Sequence, residues 1–172
     1  MGGLIVLFII GLWIFLVSKL ATFLSRLLPA NKFSPALKVL LFVLLLVMPF
    51  MDEIIGGFQF RALCKAETHI EYDKNKLVNM TVYSDLLDEV KIAGMAVPVS
   101  SQAWNYPNVE TKELLLSYKV FDADGGWLSR WIDFNSVHQP YTFKGHCGPG
   151  WTKVDELFKN LNVTVIRKSS GK

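Results

Sequence analysis

The first 51 residues contain no aspartate or glutamate, and residues 2–18 contain no charged side chain at all. A helix without a polar stripe is not the surface helix of a soluble domain. Residues 2–18 would extend about 26 Å as a helix, close to the thickness of bilayer hydrocarbon. No cation precedes this run and no small-residue cleavage site follows it, which argues against a cleaved secretory signal. We expect an uncleaved membrane-spanning helix.

A second run without charge covers residues 39–51. Ser34 followed by Pro35 is a typical helix start, because serine caps the first turn and proline fits the first helical position. A helix that begins at Phe33 and includes this run would extend roughly 28 Å, which again suffices to cross a bilayer. Pro49 is expected to kink or end the helix near its exit. The pattern therefore predicts a second membrane-spanning helix.

All charge in the first 51 residues is positive and lies in or beside the short connection between the two apolar runs. Short cytoplasmic loops are enriched in lysine and arginine, so this connection is predicted to face the cytoplasm. Both termini then lie on the other side, which in a bacterium is the periplasm. We expect a multi-pass inner-membrane protein: residues 1–51 form a hairpin, and residues 52–172 form an extracytoplasmic domain. The topology-determining residues are Lys19, Arg26, Lys32 and Lys38.

Residues 52–172 are predicted to form a small α+β domain with an antiparallel sheet, so the whole chain is a membrane-anchored α+β protein. Strands are predicted at residues 77–83, 90–99, 113–121, 127–134 and 162–168. The third and fourth of these flank a turn rich in aspartate and glycine and are predicted to pair as a hairpin. A short helix is expected after Thr152. Residues 54–64 are expected to form a joint that is hinged at Gly56 and Gly57 and leads into a helix.

The two cysteines, Cys64 and Cys147, both lie in the predicted extracytoplasmic domain. An oxidising compartment favours one disulfide between them, and closing a loop of roughly 80 residues would stabilise the domain by about 4 kcal/mol. The alternative is a periplasmic thiol enzyme in which Cys147 is the nucleophile, with His146 or His138 as base. His69 is a further candidate base. A bonded Cys147 is no nucleophile, so we favour the disulfide and expect no catalytic residue.

The sequence also lacks the patterns that identify several kinds of binding site. The histidines and cysteines match no compact zinc spacing, so no metal is predicted, and no cofactor or small-molecule substrate is identifiable. Lysine and arginine form no basic cluster in residues 52–172, which argues against nucleic acid as a partner. The acidic pairs at residues 52–53, 88–89 and 155–156 are expected to be solvated. The candidate aromatic contact surface comprises Trp127, Trp131 and Trp151.

The run DEIIGGFQFRALC, residues 52–64, is similar to a segment that follows the transmembrane helix in small uncharacterised bacterial inner-membrane proteins. This resemblance implies a location in the bacterial inner membrane and carries no implication about activity. We expect a non-enzymatic accessory or binding role in the envelope, as an assembly subunit or an immunity-type protein. Its partners would be the lipid bilayer and another envelope protein. Besides the thiol enzyme, an oligomeric pore or lysis component is an alternative, although the apolar runs lack a polar pore-lining stripe.

Overall fold

The structure is a computed structural model that describes residues 2–27, 34–132 and 139–167. The chain divides into two compact units, Met1–Met51 and Asp52–Lys172. The first unit contains two helices. The second combines helices with a sheet of mainly antiparallel strands, which confirms the predicted α+β class.

In the first unit, helix α1 spans Gly2–Leu27 and helix α2 spans Ser34–Val47. The two helices contact each other, and a 3₁₀ turn, Met48–Phe50, follows α2. Val17 and Ala21 are buried, whereas most of the large apolar side chains described on α1 are exposed, and those described on α2 are exposed or half-buried. A helix that is apolar all round and is not buried in a protein core is typical of a membrane environment.

Within the described residues, one helical stretch, Pro35–Glu67, is long and apolar enough to cross a membrane. Only 17% of its most apolar window is buried inside the chain, which distinguishes it from the core helix of a soluble domain. The other apolar stretch, Gly11–Ser25, would extend about 22 Å and is shorter than bilayer hydrocarbon. By length and composition together, the structure therefore supports one of the two predicted spans, and a multi-pass topology is not supported.

Helix α3 spans Met51–Glu67 and continues through both of its glycines, so the predicted hinge is wrong. Gly56 and Gly57 are buried. A Cβ on Gly56 would lie 2.7 Å from a methyl carbon of Val97, and one on Gly57 would lie 3.0 Å from the ring of Phe143. Glycine costs a helix about 1 kcal/mol relative to alanine. At these positions it allows two other segments to pack directly on the helix backbone.

The sheet contains β1 Ile70–Tyr72, β2 Thr81–Leu86, β3 Val90–Ile92, β4 Val99–Pro107, β5 Leu114–Ala123, β6 His146–Cys147 and β7 Thr164–Arg167. The strand order is β1-β5-β4-β2-β7, with β3 beside β4 and β6 beside β5. Among the described strands, only β2 and β7 pair in parallel. The β4–β5 ladder is the longest, and it places Trp104 opposite Tyr118. This pair lies inside the sheet, between β1 and β2.

The predicted hairpin between residues 113–121 and 127–134 is wrong. Strand β5 pairs with β1, β4 and β6, and Trp127–Ile132 forms a short helix, α5. The first amides of α5 donate hydrogen bonds to carboxylates of α3, an interaction that favours a helix start over a strand. Residues 133 and 134 lie outside the described part of the chain.

Two apolar clusters cover opposite faces of the sheet. One contains Tyr118 of β5 and Phe158 of helix α6, Trp151–Asn160; the other contains Phe121 of β5 and Phe60 of α3. Side chains alternate along a strand, so Tyr118 and Phe121 point to opposite faces. Helix α6 therefore covers one face, and α3 covers the other. A further short helix, α4, spans Lys74–Leu77.

We expect Gly56→Ala to destabilise the protein by about 1–3 kcal/mol, the usual cost of an overpacked core. In an open helix the same change would stabilise by about 1 kcal/mol, but here the new methyl overlaps Val97. Urea unfolding of the full chain in detergent micelles measures the difference. Val97→Ala removes the overlapped methyls, so Gly56→Ala should cost less in that background. An equal cost in both backgrounds would show that the contact does not decide the effect.

Candidate functional site

Glu53, in the first turn of α3, is a buried carboxylate that is 1% exposed. Its Oε1 accepts a hydrogen bond from the Gly126 N–H at 2.9 Å. Its Oε2 accepts from the N–H groups of Tyr141 and Thr142 at 3.0 and 3.2 Å. The donors lie 73 to 89 residues away in sequence. The expectation that this acidic pair is solvated is therefore wrong for Glu53.

Asp52 makes a second link from α3 to α5. Its Oδ2 accepts from the Trp127 N–H at 2.6 Å, and its Oδ1 accepts from the Glu53 N–H at 2.9 Å. A Cβ on Gly126 would lie 2.6 Å from both Asp52 carboxylate oxygens and from Cγ of Glu53. Glycine at position 126 is thus required for α5 to reach the two carboxylates. Together these contacts fix the start of α5 against the start of α3.

Cys64 of α3 and Cys147 of β6 form a disulfide, which is the predicted pairing. Their Cα atoms are 6.1 Å apart, and the cysteines are separated by 83 positions in sequence. Beside the bond, the rings of Phe60 and Phe143 pack with centroids 5.6 Å apart. Because β6 pairs with β5, the disulfide joins the later turns of α3 to the sheet.

A groove of about 550 Å³ lies over this disulfide, between α3 and the segment that leads into β6. Its apolar lining comes from Phe60, Phe143 and the two bonded cysteines. Its cationic lining comes from three exposed side chains, Arg61, Lys65 and Lys144. Among the described residues none of these three cations is paired with a carboxylate. We call this site the cationic groove.

A smaller cavity of about 120 Å³ shares Arg61 and Phe143 with the cationic groove. It extends along α3 to Glu53 and to Thr142, whose N–H binds the Glu53 carboxylate. The same hydrogen bonds that fix the segment after residue 139 therefore shape one wall of both cavities. The wall is positioned by the fold before any ligand arrives.

The candidate catalytic residues have other partners in this oxidised form. Cys147 is bonded to Cys64 and presents no thiolate. His146 also lines the cationic groove, but its Nδ1 lies 2.7 Å from Oδ1 of Asp122. His138 lies outside the described residues, and His69 pairs with a neighbouring glutamate. No cluster of three or more metal-ligating side chains occurs in the described segments.

The three tryptophans of the candidate contact surface are all exposed, by 51% for Trp127, 77% for Trp131 and 61% for Trp151. Trp151 begins α6 and packs edge-on against Trp104 and Tyr118, at centroid distances of 4.8 and 6.4 Å. Trp127 and Trp131 lie on α5. The predicted surface is therefore distributed over two helices with different neighbours.

The buried tyrosines below Trp151 are structural. The hydroxyls of Tyr106 and Tyr118 lie 3.4 Å apart. Burial raises the pKa of both, and for Tyr118 the contact with Tyr106 raises the pKa further. Both phenols stay neutral at physiological pH, which disfavours a role as ionised base. At the surface, hydrogen bonds to Glu113 and to Asp155 raise the pKa values of Lys76 and Lys159, so both lysines stay charged.

The topology-determining cations are only partly described. Lys19 lies in α1 with its Nζ 5.4 Å from the Phe15 ring, and Lys38 is exposed on α2. Arg26 is a residue of α1, and Lys32 lies outside the described residues. The two described side chains can reach lipid headgroups by extending along the helix surface.

Comparison with known proteins adds no functional information. No family model, no curated protein and no solved structure matches the chain. The resemblance of residues 52–64 to small bacterial inner-membrane proteins therefore stays a prediction. The function has to be inferred from the geometry of the site.

We expect that replacing both cysteines with alanine lowers the free energy of unfolding by about 4 kcal/mol, since the bond closes a long loop in the unfolded chain. Urea unfolding of the full chain in micelles, with and without dithiothreitol, measures this loss. The reductant should destabilise the parent protein and leave the cysteine-free variant unchanged. Rapid maleimide labelling of Cys147 in the unreduced protein would contradict the bonded state.

Proposed function

We propose that the chain is a membrane-anchored accessory or binding protein of the bacterial envelope, without catalytic activity of its own. In this proposal α1 and α2 form an inner-membrane hairpin, and the α+β unit lies in the periplasm. Three features support it: the exposed apolar surfaces of both helices, the uniformly positive connection between them, and a disulfide, which persists in oxidising compartments.

The second span of the hairpin is part of the proposal, and it draws on the whole of α1 rather than on the apolar stretch Gly11–Ser25 alone. The helix contains 26 residues, which corresponds to about 39 Å and exceeds the hydrocarbon thickness of a bilayer. Lys19 follows the uncharged first part of α1 and can extend toward the headgroups. A helix of this length can cross with its apolar first part and continue along the interface with its basic second part.

The observation that carries a binding role is the cationic groove. Arg61, Lys65 and Lys144 surround an apolar floor. The disulfide and the hydrogen bonds of Glu53 hold the two sides of the groove, α3 and the segment that leads into β6, in place without a ligand. Exposed cations around an apolar floor favour an acidic segment that also inserts one apolar side chain. We infer that the groove binds such a segment of another envelope protein, as an assembly subunit or an immunity-type protein would.

A charge-reversal variant tests the groove directly. Arg61→Glu combined with Lys144→Glu is expected to weaken binding of a fluorescein-labelled hexaglutamate peptide about tenfold, equal to about 1.4 kcal/mol. The full chain in micelles is titrated by fluorescence anisotropy, and binding by the parent should fall as salt rises. Lys74→Glu combined with Lys153→Glu is the matched control, because both are exposed cations outside the groove and the change in net charge is the same. Equal weakening by the control would assign binding to net charge alone.

The natural partner is sought by photo-crosslinking in living cells. A crosslinking residue at position 144 is expected to yield a discrete adduct with one envelope protein, and Arg61→Glu should reduce that adduct. The same residue at position 153 provides the background. Identical adducts from both positions would contradict the assignment of the groove as the binding surface.

The proposed topology predicts that a phosphatase reporter fused after Lys172 is active, because such reporters fold only after export. Replacing the four cations of the connection, Lys19, Arg26, Lys32 and Lys38, with glutamine should lower this activity, since the positive charge orients the hairpin. Enzyme activity normalised to the amount of fusion protein is the measurement. An inactive reporter in the parent chain would refute the periplasmic location.

A further inference from the structure

Helix α5 exposes two indoles in six residues. Trp131 is 77% exposed and Trp127 is 51% exposed, whereas Ser129 between them is buried and donates a hydrogen bond to the Gln139 carbonyl at 2.9 Å. Arg130 is exposed, and its Nε lies 3.4 Å from the Gly126 carbonyl. The helix thus presents two amphipathic rings and one guanidinium to its surroundings.

The carboxylates of Asp52 and Glu53 hold the start of α5, and with it the backbone that carries these rings, at the start of α3. Asp52 is the first charged residue after the uncharged run of residues 39–51, and it accepts the Trp127 N–H at 2.6 Å. The next residue, Glu53, accepts the Gly126 N–H at 2.9 Å. Helix α5 is therefore attached one residue beyond the last residue of the apolar run. A headgroup layer is about 5–8 Å thick, so a group bonded to Asp52 can lie within it.

We propose that α5 lies at the membrane surface, with the indoles of Trp127 and Trp131 inserted among the phospholipid headgroups; this inference rests on the membrane anchoring proposed above. Tryptophan is enriched at this depth because the ring is apolar while its N–H is polar. Arg130 lies between the two rings in sequence and can bind a lipid phosphate. Ile55, in the second turn of α3, is 45% exposed and adds an apolar side chain three residues after Asp52.

The occupant is lipid rather than a partner protein because of where the rings are attached. Any group bonded to Asp52 is held close to the point at which the apolar run ends, whatever the orientation of the rest of the domain. Trp151 provides the contrast within the same chain. It is similarly exposed, but it belongs to α6 and packs on Trp104 and Tyr118 of the sheet. Two points of membrane contact, α5 and the anchor, would restrict the tilt of the domain.

The test measures tryptophan fluorescence of the full chain in nanodiscs whose phospholipids carry bromine near the headgroup end of the acyl chains. Bromine quenches only those indoles that enter the lipid. In a Trp13→Phe background, Trp127→Phe and Trp131→Phe are each expected to remove a large part of the quenched emission. Trp151→Phe is the matched control and should leave the quenched emission unchanged. Since the substituted rings of α5 are exposed, these variants are expected to fold.

Trp13 separates the two proposals. It lies in α1, so the difference between the parent and Trp13→Phe reports whether that helix is in the bilayer. If bromine does not quench the emission of Trp13, the proposed anchoring is refuted. The lipid contact of α5 alone would be overturned by a different result. In that result Trp13 is quenched, Trp131→Phe leaves the quenching unchanged, and acrylamide reaches both α5 indoles freely in nanodiscs.

Discussion

The arrangement of the α+β unit depends on a buried carboxylate that binds backbone amides. Burying the Glu53 charge costs several kcal/mol, and three charge-assisted hydrogen bonds of about 1.5–3 kcal/mol each offset that cost. The net stabilisation is therefore small, but the geometry is tightly constrained, because each amide that moved away would leave the buried carboxylate with one donor fewer. Glu53 determines where α5 begins and where the segment after residue 139 runs, and both cavities share walls that follow from it.

Helix α3 is held to the rest of the unit along its whole length. Asp52 and Glu53 bind amides at its start, Gly56 and Gly57 allow close packing at its middle, and Cys64 is bonded to β6 near its end. These three kinds of contact belong to one element, so its outward side has little freedom to move. The side chains of Arg61 and Lys65 therefore project from a fixed backbone, which lowers the ordering cost of binding a ligand between them.

The parts of the fold that the sequence predicted are those encoded by local pattern. The alternation of apolar and polar residues identified β5, and the even cysteine count in an expected oxidising compartment identified the disulfide. The errors concern residues whose structure depends on distant partners. Residues 127–132 have the composition of a strand, yet carboxylates more than 70 positions away fix them as a helix. Gly56 and Gly57 normally weaken a helix, but packing against Val97 and Phe143 outweighs that preference.

The same contacts limit where a binding partner of the proposed function can be. Arg61 lies nine positions after Asp52, which is about 14 Å along α3 at the rise of an α-helix. No glycine- or serine-rich linker separates the apolar run from α3; only the 3₁₀ turn Met48–Phe50 comes between α2 and α3. Under the proposed anchoring, the chain tethers the cationic groove to the membrane, where the effective concentration of other membrane proteins is high. A groove with modest intrinsic affinity is then sufficient for a membrane-bound partner, whereas a freely diffusing one would need tighter contacts.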